Sequence, residues 1–315
     1  MIKKSQHKLR LIILCGLACL VTGTAFAQLP VSTARPRIFL DPATKANLMA
    51  KRAANTDEWK NLLTNANKYV PKQVIPWNEV TASSNQYYNT GDIFYSYCGS
   101  NWEVAALTLG LAHQLIKGNK TGAYPTNYSA KLVQLADVII KAYADYPPNK
   151  NYQPNIFQFN SAYATRHVGK TIAIIYDWCY DELDVTRKAA LRNVMIDWYK
   201  YMSATPYGLN QLQNDPTGNY YVGHLICAGY MGYAIGSDNP ISKKMIDFAR
   251  QRMVGTPGSI NHNTATSGES AINYFTQSIK GGLPSGAALS SLQKQTTVDA
   301  VWNVNRVNGA GDANL

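Results

Sequence analysis

NWEVAALTLGLAHQLIKG (101–118) and YSAKLVQLADVIIKAYADY (128–146) are the stretches that decide the fold. In each, apolar positions cover so much of the helical surface that both predict largely buried helices. Buried helices need further helices around them, and the flanking sequence supplies these. Asp41-Pro42 marks a helix start, with Asp as N-cap and Pro in the first helical position, followed by apolar spacing through Leu48 and Met49. Trp59, Leu62 and Leu63 carry a short second helix. The segment YATRHVGKTIAIIYDWCYDEL (163–183) contains another buried run. Asp184 opens the next helix, where Leu191, Val194, Met195 and Trp198 fall at helical spacing. GNYYVGHLICAGYMGYA (218–234) begins a further helix, and Pro240 the one through Met245, Phe248 and Met253. Period-two alternation is almost absent. The class is all-α, with about eight helices in successive antiparallel pairs, which favours the stacked hairpins of a solenoid or an (α/α) toroid.

Between these helices, roughly residues 70–98 read as a long aromatic-rich loop, IPWNEVTASSNQYYNTGDIFYSYC, of a length that is usually functional or disordered. From about Gly255 the helical pattern fails. Residues 256–315 read as an irregular tail with little to bury, so the predicted domain spans 28–255.

The first 27 residues carry Lys3, Lys4, Lys8 and Arg10 ahead of LIILCGLACLVTG, ending at Ala25-Phe26-Ala27. That is the pattern of a secretory signal peptide with an A-x-A cleavage site, which predicts a periplasmic or extracellular protein beginning near Gln28. A lipoprotein anchor on Cys15 or Cys19 is the alternative, but small residues do not fall where a lipobox needs them. The apolar run is shorter than the roughly 20 residues of a membrane-spanning helix, and no later segment is long and apolar enough to span. The leader holds four basic residues and no acidic one, so its loss takes the formal charge from +11 to +7. A basic surface favours anionic partners such as acidic polysaccharide, whereas no Lys/Arg run interleaved with aromatics suggests nucleic acid. Of the remaining cysteines, Cys179 and Cys227 lie in apolar helical patterns and read as buried free thiols; one disulfide between any two of Cys98, Cys179 and Cys227 stays open in an oxidising compartment. No C-x-x-C pair or His/Cys cluster has zinc spacing.

Four stretches taken in order resemble one family. Arg35-Pro36-Arg37-Ile38-Phe39-Leu40, IAIIYDWCYDEL (172–183) with the following TRKAALRNVM, GNYYVGHL (218–225), and Gly236-Ser237-Asp238-Asn239-Pro240 are similar to segments of the heparinase II/III-like and alginate-lyase-like polysaccharide lyases. The resemblance covers roughly residues 35–255. It implies an N-terminal (α/α) toroid, which in the family precedes a β-sandwich. A Gly-rich segment supplying a catalytic tyrosine normally follows the toroid; Gly281-Gly282-Leu283-Pro284-Ser285 looks like its approach, and Gly286-Ala287-Ala288 stands in its place. The expectation is therefore an incomplete toroid, with the chain truncated or frame-altered near residue 285.

Such lyases cleave uronic-acid polysaccharide by β-elimination. The substrate carboxylate must be neutralised by hydrogen-bond donors, a base must take the C5 proton and an acid must protonate the departing O4. No metal or other cofactor is needed. By resemblance Asn219 is the neutraliser; its plainer role is helix capping. The position after it, where the family often has His, is Tyr220. His224, a candidate base, has the competing reading of a core histidine beside Val222, Leu225 and Ile226. Tyr221 is a candidate for proton transfer and Tyr220 for stacking on a sugar ring, against ordinary packing at a helix start. Arg166 and His167 are candidates for binding the uronate, Arg by bidentate bonding; the plainer reading pairs Arg166 with a surface acid. Trp102, Gln158 and Asn160 are weaker substrate-binding candidates, and His113 reads as structural.

Two other classes remain open. A toroid glycoside hydrolase needs two carboxylates flanking the scissile bond, but Asp177, Asp181 and Glu182 read as caps or turn residues. A non-catalytic glycan-binding module fits the missing tyrosine segment.

Overall fold

The computed structural model describes residues 33–78, 99–118, 127–147, 156, 164–204 and 219–254. Among these residues there are eight α-helices, two short 3₁₀ turns and no strand. α1 (Pro42–Ala53) starts where Asp41-Pro42 indicates: the Asp41 carboxylate accepts the N–H groups of Ala43 and Thr44 at 2.9 and 3.0 Å. α2 (Asp57–Tyr69) is capped by Thr56 and buries Trp59, Ala66 and Tyr69. Then follow α3 (Ser100–Ile116), α4 (Asn127–Asp145), α5 (Thr165–Trp178), α6 (Val185–Ala204), α7 (Asn219–Ile235) and α8 (Ile241–Val254). Asp184 caps α6 by accepting the Arg187 N–H at 2.7 Å, and Asn239 accepts the Ile241 N–H at 3.0 Å to open α8.

The centre of the bundle is α5, every residue of which is buried. It packs against α3, α4, α6 and α7. Glycines set how closely these helices approach. A Cβ at Gly169 of α5 would lie 1.9 Å from the Cys227 sulfur of α7, and one at Gly110 of α3 would lie 2.8 Å from the Trp178 ring. The same contacts fix direction. Gly99 meets Val168 and Gly110 meets Ile174 and Trp178, so α3 and α5 run parallel. Gly223 meets Arg166, while further along Gly169 meets Cys227 and Met231, so α5 and α7 are parallel too.

The intervening helices return. Gly232 packs on Met245 and Ile246, and Gly229 faces Ala249, which makes α7 and α8 antiparallel. The short link 179–184, with its 3₁₀ turn Tyr180–Glu182, joins α5 to α6, and Trp198 late in α6 lies on His224 early in α7, so α6 runs back against the parallel row. Arg187 bonds Asp137 and Tyr143 bonds Asp197, so α4 runs alongside α6 in the same direction. Thus α3, α5 and α7 point one way, and α4, α6 and α8 the other.

One expectation changes at the segment after α2. Ile75 and Trp77, within the predicted loop over 70–98, are core residues 4% and 2% exposed, and Trp77 packs on Trp102 with ring centroids 5.2 Å apart. Residues 79–98 and the predicted tail lie outside the described residues. Among the described residues no helix is long and apolar enough to cross a membrane.

The extended arm before α1 closes one end of the parallel row. Asp177 accepts the main-chain N–H groups of Arg37 and Ile38 at 2.6 and 2.8 Å and the Arg35 guanidinium at 3.0 Å. Arg35 also donates to Asp238 and to the Ala234 carbonyl, both at 2.7 Å, and lies over the rings of Tyr176 and Tyr180. The Tyr176 hydroxyl donates to Asp238 at 2.6 Å, and the Trp178 indole donates to the Ile38 carbonyl at 3.0 Å. Arg37 lies so close to Gly236 that a Cβ there would sit 2.4 Å from its guanidinium. Three of the four sequence stretches that carry the family resemblance therefore meet in one structural knot at the C-terminal ends of α5 and α7.

Candidate functional site

The opposite ends of α3, α5 and α7 hold the remaining charged residues of the interior. Successive helix residues project about 100° apart, so neighbours at the start of α5 serve two different partners. Arg166 lies along α7: a Cβ at Gly223 would come within 3.1 Å of the Arg166 Cβ and 3.4 Å of its Nε. His167 turns to α3, where its Nδ1 lies 2.7 Å from Oε2 of Glu103. One turn further along α5, the Lys170 ammonium donates to Oε1 of the same carboxylate. Glu103, His167 and Lys170 are only 5, 6 and 8% exposed.

Burying a carboxylate at this depth is costly unless charge and hydrogen bonds compensate it. Burial alone would raise the Glu103 carboxyl, but Lys170 and His167 outweigh it and hold the group well below its ordinary range. For His167 burial dominates and lowers the imidazole, with the positive charges of Lys170 and Arg166 adding to it and Glu103 opposing. An ionised carboxylate only accepts hydrogen bonds, so the proton between them belongs to Nδ1.

Of the predicted site residues, the structure brings Arg166 and His167 to this end of the row. α7 begins at Asn219, one turn before Gly223, the glycine against which Arg166 lies. Residues four apart share a helix face, so the backbone places Asn219 on the face of α7 that meets Arg166. The side chains of Asn219, Tyr220 and Tyr221 lie outside the described residues, as do Gln158 and Asn160. His224, five residues from Asn219 and about 140° around the helix, belongs to the packing between α6 and α7. It is 2% exposed, and its ring stacks on Trp198 with centroids 5.8 Å apart and an interplanar angle of 21°.

Two assignments need correction. Trp102 is 0% exposed and packs at a tilt on Trp77 within the core, so it presents no face to a ligand. Asp177 is neither cap nor turn residue but the buried acceptor of the N-terminal arm. Asp181 and Glu182 do sit in the turn after α5, where Asp181 pairs with Lys117 and Glu182 lies 3.8 Å from the buried His113.

Glu103 and Lys170 escaped the sequence reading. Their signal was nonetheless present: a lone carboxylate in an otherwise apolar helix, and a His-x-x-Lys pair on the face of another. Charges in fully buried helices must find each other.

No family model, curated protein or solved structure matches this chain.

Proposed function

We propose that this chain is the helical domain of an exported polysaccharide lyase, arranged as an incomplete (α/α) toroid, that acts on uronic-acid-containing polysaccharide by β-elimination. The observation that carries the reading is the meeting of Arg166 with α7 one turn beyond Asn219. A guanidinium is a donor suited to a sugar carboxylate, whose developing negative charge the reaction must stabilise, and the family resemblance gives Asn219 the same role. The alternation of three parallel helices with three returning ones is the local pattern a toroid repeats, which supports the architecture. The sequence stretches resembling the lyase family, the basic charge and the N-terminal leader pattern point to the same substrate class and to export.

Hydrolysis fits less well. It needs two carboxylates flanking the scissile bond. Among the described residues Glu103 is the buried carboxylate at this end, and it is engaged by Lys170 and His167. Asp177, Asp181 and Glu182 lie at the other end.

The test is incubation of the mature protein with alginate, heparan sulfate, hyaluronan and pectate, following the ultraviolet absorbance of unsaturated uronate. Its appearance, and its loss in Asn219→Ala and Arg166→Ala, is the expected result. New reducing ends without that absorbance would assign hydrolysis, and binding with neither signal would assign a glycan-binding module.

A further inference from the structure

We propose that Phe39, Tyr233 and Arg37 form a surface subsite for one residue of an acidic polysaccharide, separate from the start of α5. The subsite involves no turnover and goes beyond the lyase reading, with which it shares only the class of ligand. Burial alternates along the arm: Ile38 and Leu40 are core residues, whereas Arg37 is half-buried and Phe39 is 50% exposed. Phe39 is the centre of a three-residue turn, closed by the Leu40 N–H on the Ile38 carbonyl at 2.7 Å, with φ at 59°. The positive-φ form of this turn is rare and strained. Among the described residues the other non-glycine at positive φ is Asn55, a type that tolerates it, whereas a bulky phenylalanine does not. Asp177 holds the turn from within by accepting the Ile38 N–H, so the fold bears the strain while the ring faces solvent. A turn that served chain direction alone would be met by glycine.

The Phe39 ring is part of a cluster. It meets Tyr230 of α7 edge-on, with centroids 5.4 Å apart and an interplanar angle of 79°. Tyr233, a neighbour of Tyr230 on the helix surface, is 38% exposed. Phe39 and Tyr233 thus flank one tyrosine, and they are two of the three exposed large hydrophobic residues of the described chain. Clustered apolar groups mark interaction sites where scattered ones do not. Beside them, Arg37 reaches the end of α7, its Nη1 donating to the carbonyls of Ala234 and Ile235. On the solvent side its Nη2 donates to the Ser237 hydroxyl at 3.2 Å and the Thr33 carbonyl at 3.3 Å. Bonds of that length are weaker than the charge-assisted ones a carboxylate offers. Asp41, the nearest exposed carboxylate in sequence, is committed to capping α1. An aromatic ring covers the apolar face of a sugar, and a guanidinium beside it takes an acidic substituent; together they favour a uronate over a neutral sugar.

The test reads the site locally. In protein with ¹³C-labelled phenylalanine rings, Phe39→Gly identifies the Phe39 signal by its loss. That signal is expected to shift on titration with pectate or alginate oligosaccharides; a signal unmoved by both would overturn the proposal. In electrophoresis through gels containing pectate, Phe39→Gly and Tyr233→Ser are each expected to bind about ten-fold more weakly, and unchanged affinity in both would refute the subsite. Fully methyl-esterified pectin is expected to retard the unaltered protein far less than pectate, and equal retardation would overturn the role of Arg37. Glycine suits positive φ, so Phe39→Gly is expected to keep the urea midpoint at or above the native value; a fall would make Phe39 a packing residue and defeat the assignment. A dimer in light scattering that dissociates in Phe39→Gly would give the patch to a second copy of this chain instead. Unsaturated product without a Phe39 shift would leave the lyase reading standing and this subsite refuted, and a Phe39 shift without product the reverse.

Discussion

Asp177 and Arg35, separated by most of the described chain, form an ion pair at 3.0 Å in which the carboxylate is fully buried and the guanidinium 13% exposed. The pair is one strand of a denser tie, since the same carboxylate accepts two main-chain N–H groups of the arm. Removing one partner leaves the other buried and uncompensated, which typically costs about 3–5 kcal/mol. Asp177→Ala is expected to destabilise by that order and Arg35→Ala by less, because Asp177 keeps the N–H donors of Arg37 and Ile38. Urea denaturation measures the cost. Limited proteolysis should show cleavage near residues 33–40 rising in both variants; unchanged protection would mean that the arm is held by other contacts.

Gly169 and Cys227 set the spacing of α5 and α7. A methyl group at Gly169 would lie 1.9 Å from the cysteine sulfur and 3.2 Å from its Cβ. The cysteine side chain is too short to swing clear, so the helices must separate. Overpacking of this kind costs roughly 1–3 kcal/mol. Gly169→Ala is expected to lower the thermal midpoint, and the double variant with Cys227→Ala should recover part of the loss. No recovery would place the conflict elsewhere.

The helical class and most helix starts were legible because they depend on local chemistry. Asp41, Thr56 and Asp184 cap helices through bonds spanning three residues, and such bonds are written in adjacent sequence. The interior charges were not legible, because their meaning is set by partners far away in the chain. His167 and Glu103 are 64 residues apart, and Asp177 and Ile38 are 139 apart. Read alone, Asp177 looks like a helix-end residue, and nothing beside Glu103 names its partners. The motif-like stretches behind the family resemblance proved largely to be residues of the Asp177 knot.

Cys179 and Cys227 are free and buried, and burial pushes both thiols up from their ordinary value. Reactivity requires the thiolate and access to it. Both are expected to resist iodoacetamide in the native protein and to react in denaturant, as read by mass spectrometry of the peptides that contain them. Labelling of either under native conditions would contradict its burial.

Acid should destabilise the fold through its buried imidazoles. Burial lowers His113, with the charges of Lys117 and Lys45 adding to it and Glu182 and Asp181 opposing; His167 is lowered for the same first reason. A group whose folded value lies below its unfolded value binds protons preferentially in the unfolded chain. Such a group costs nothing well above the ordinary histidine value of about 6.5. As pH falls below that value, stability declines by up to about 1.4 kcal/mol per pH unit for each group, until the folded value is reached. Glu103, held low in the folded state, adds a further loss only below the ordinary carboxyl range. Urea unfolding between pH 7 and pH 5 should therefore show falling stability while the carboxylates are still ionised. His113→Gln should reduce that slope, because Gln carries no proton to gain on unfolding; an undiminished slope would remove His113 from the account and leave His167 to carry it.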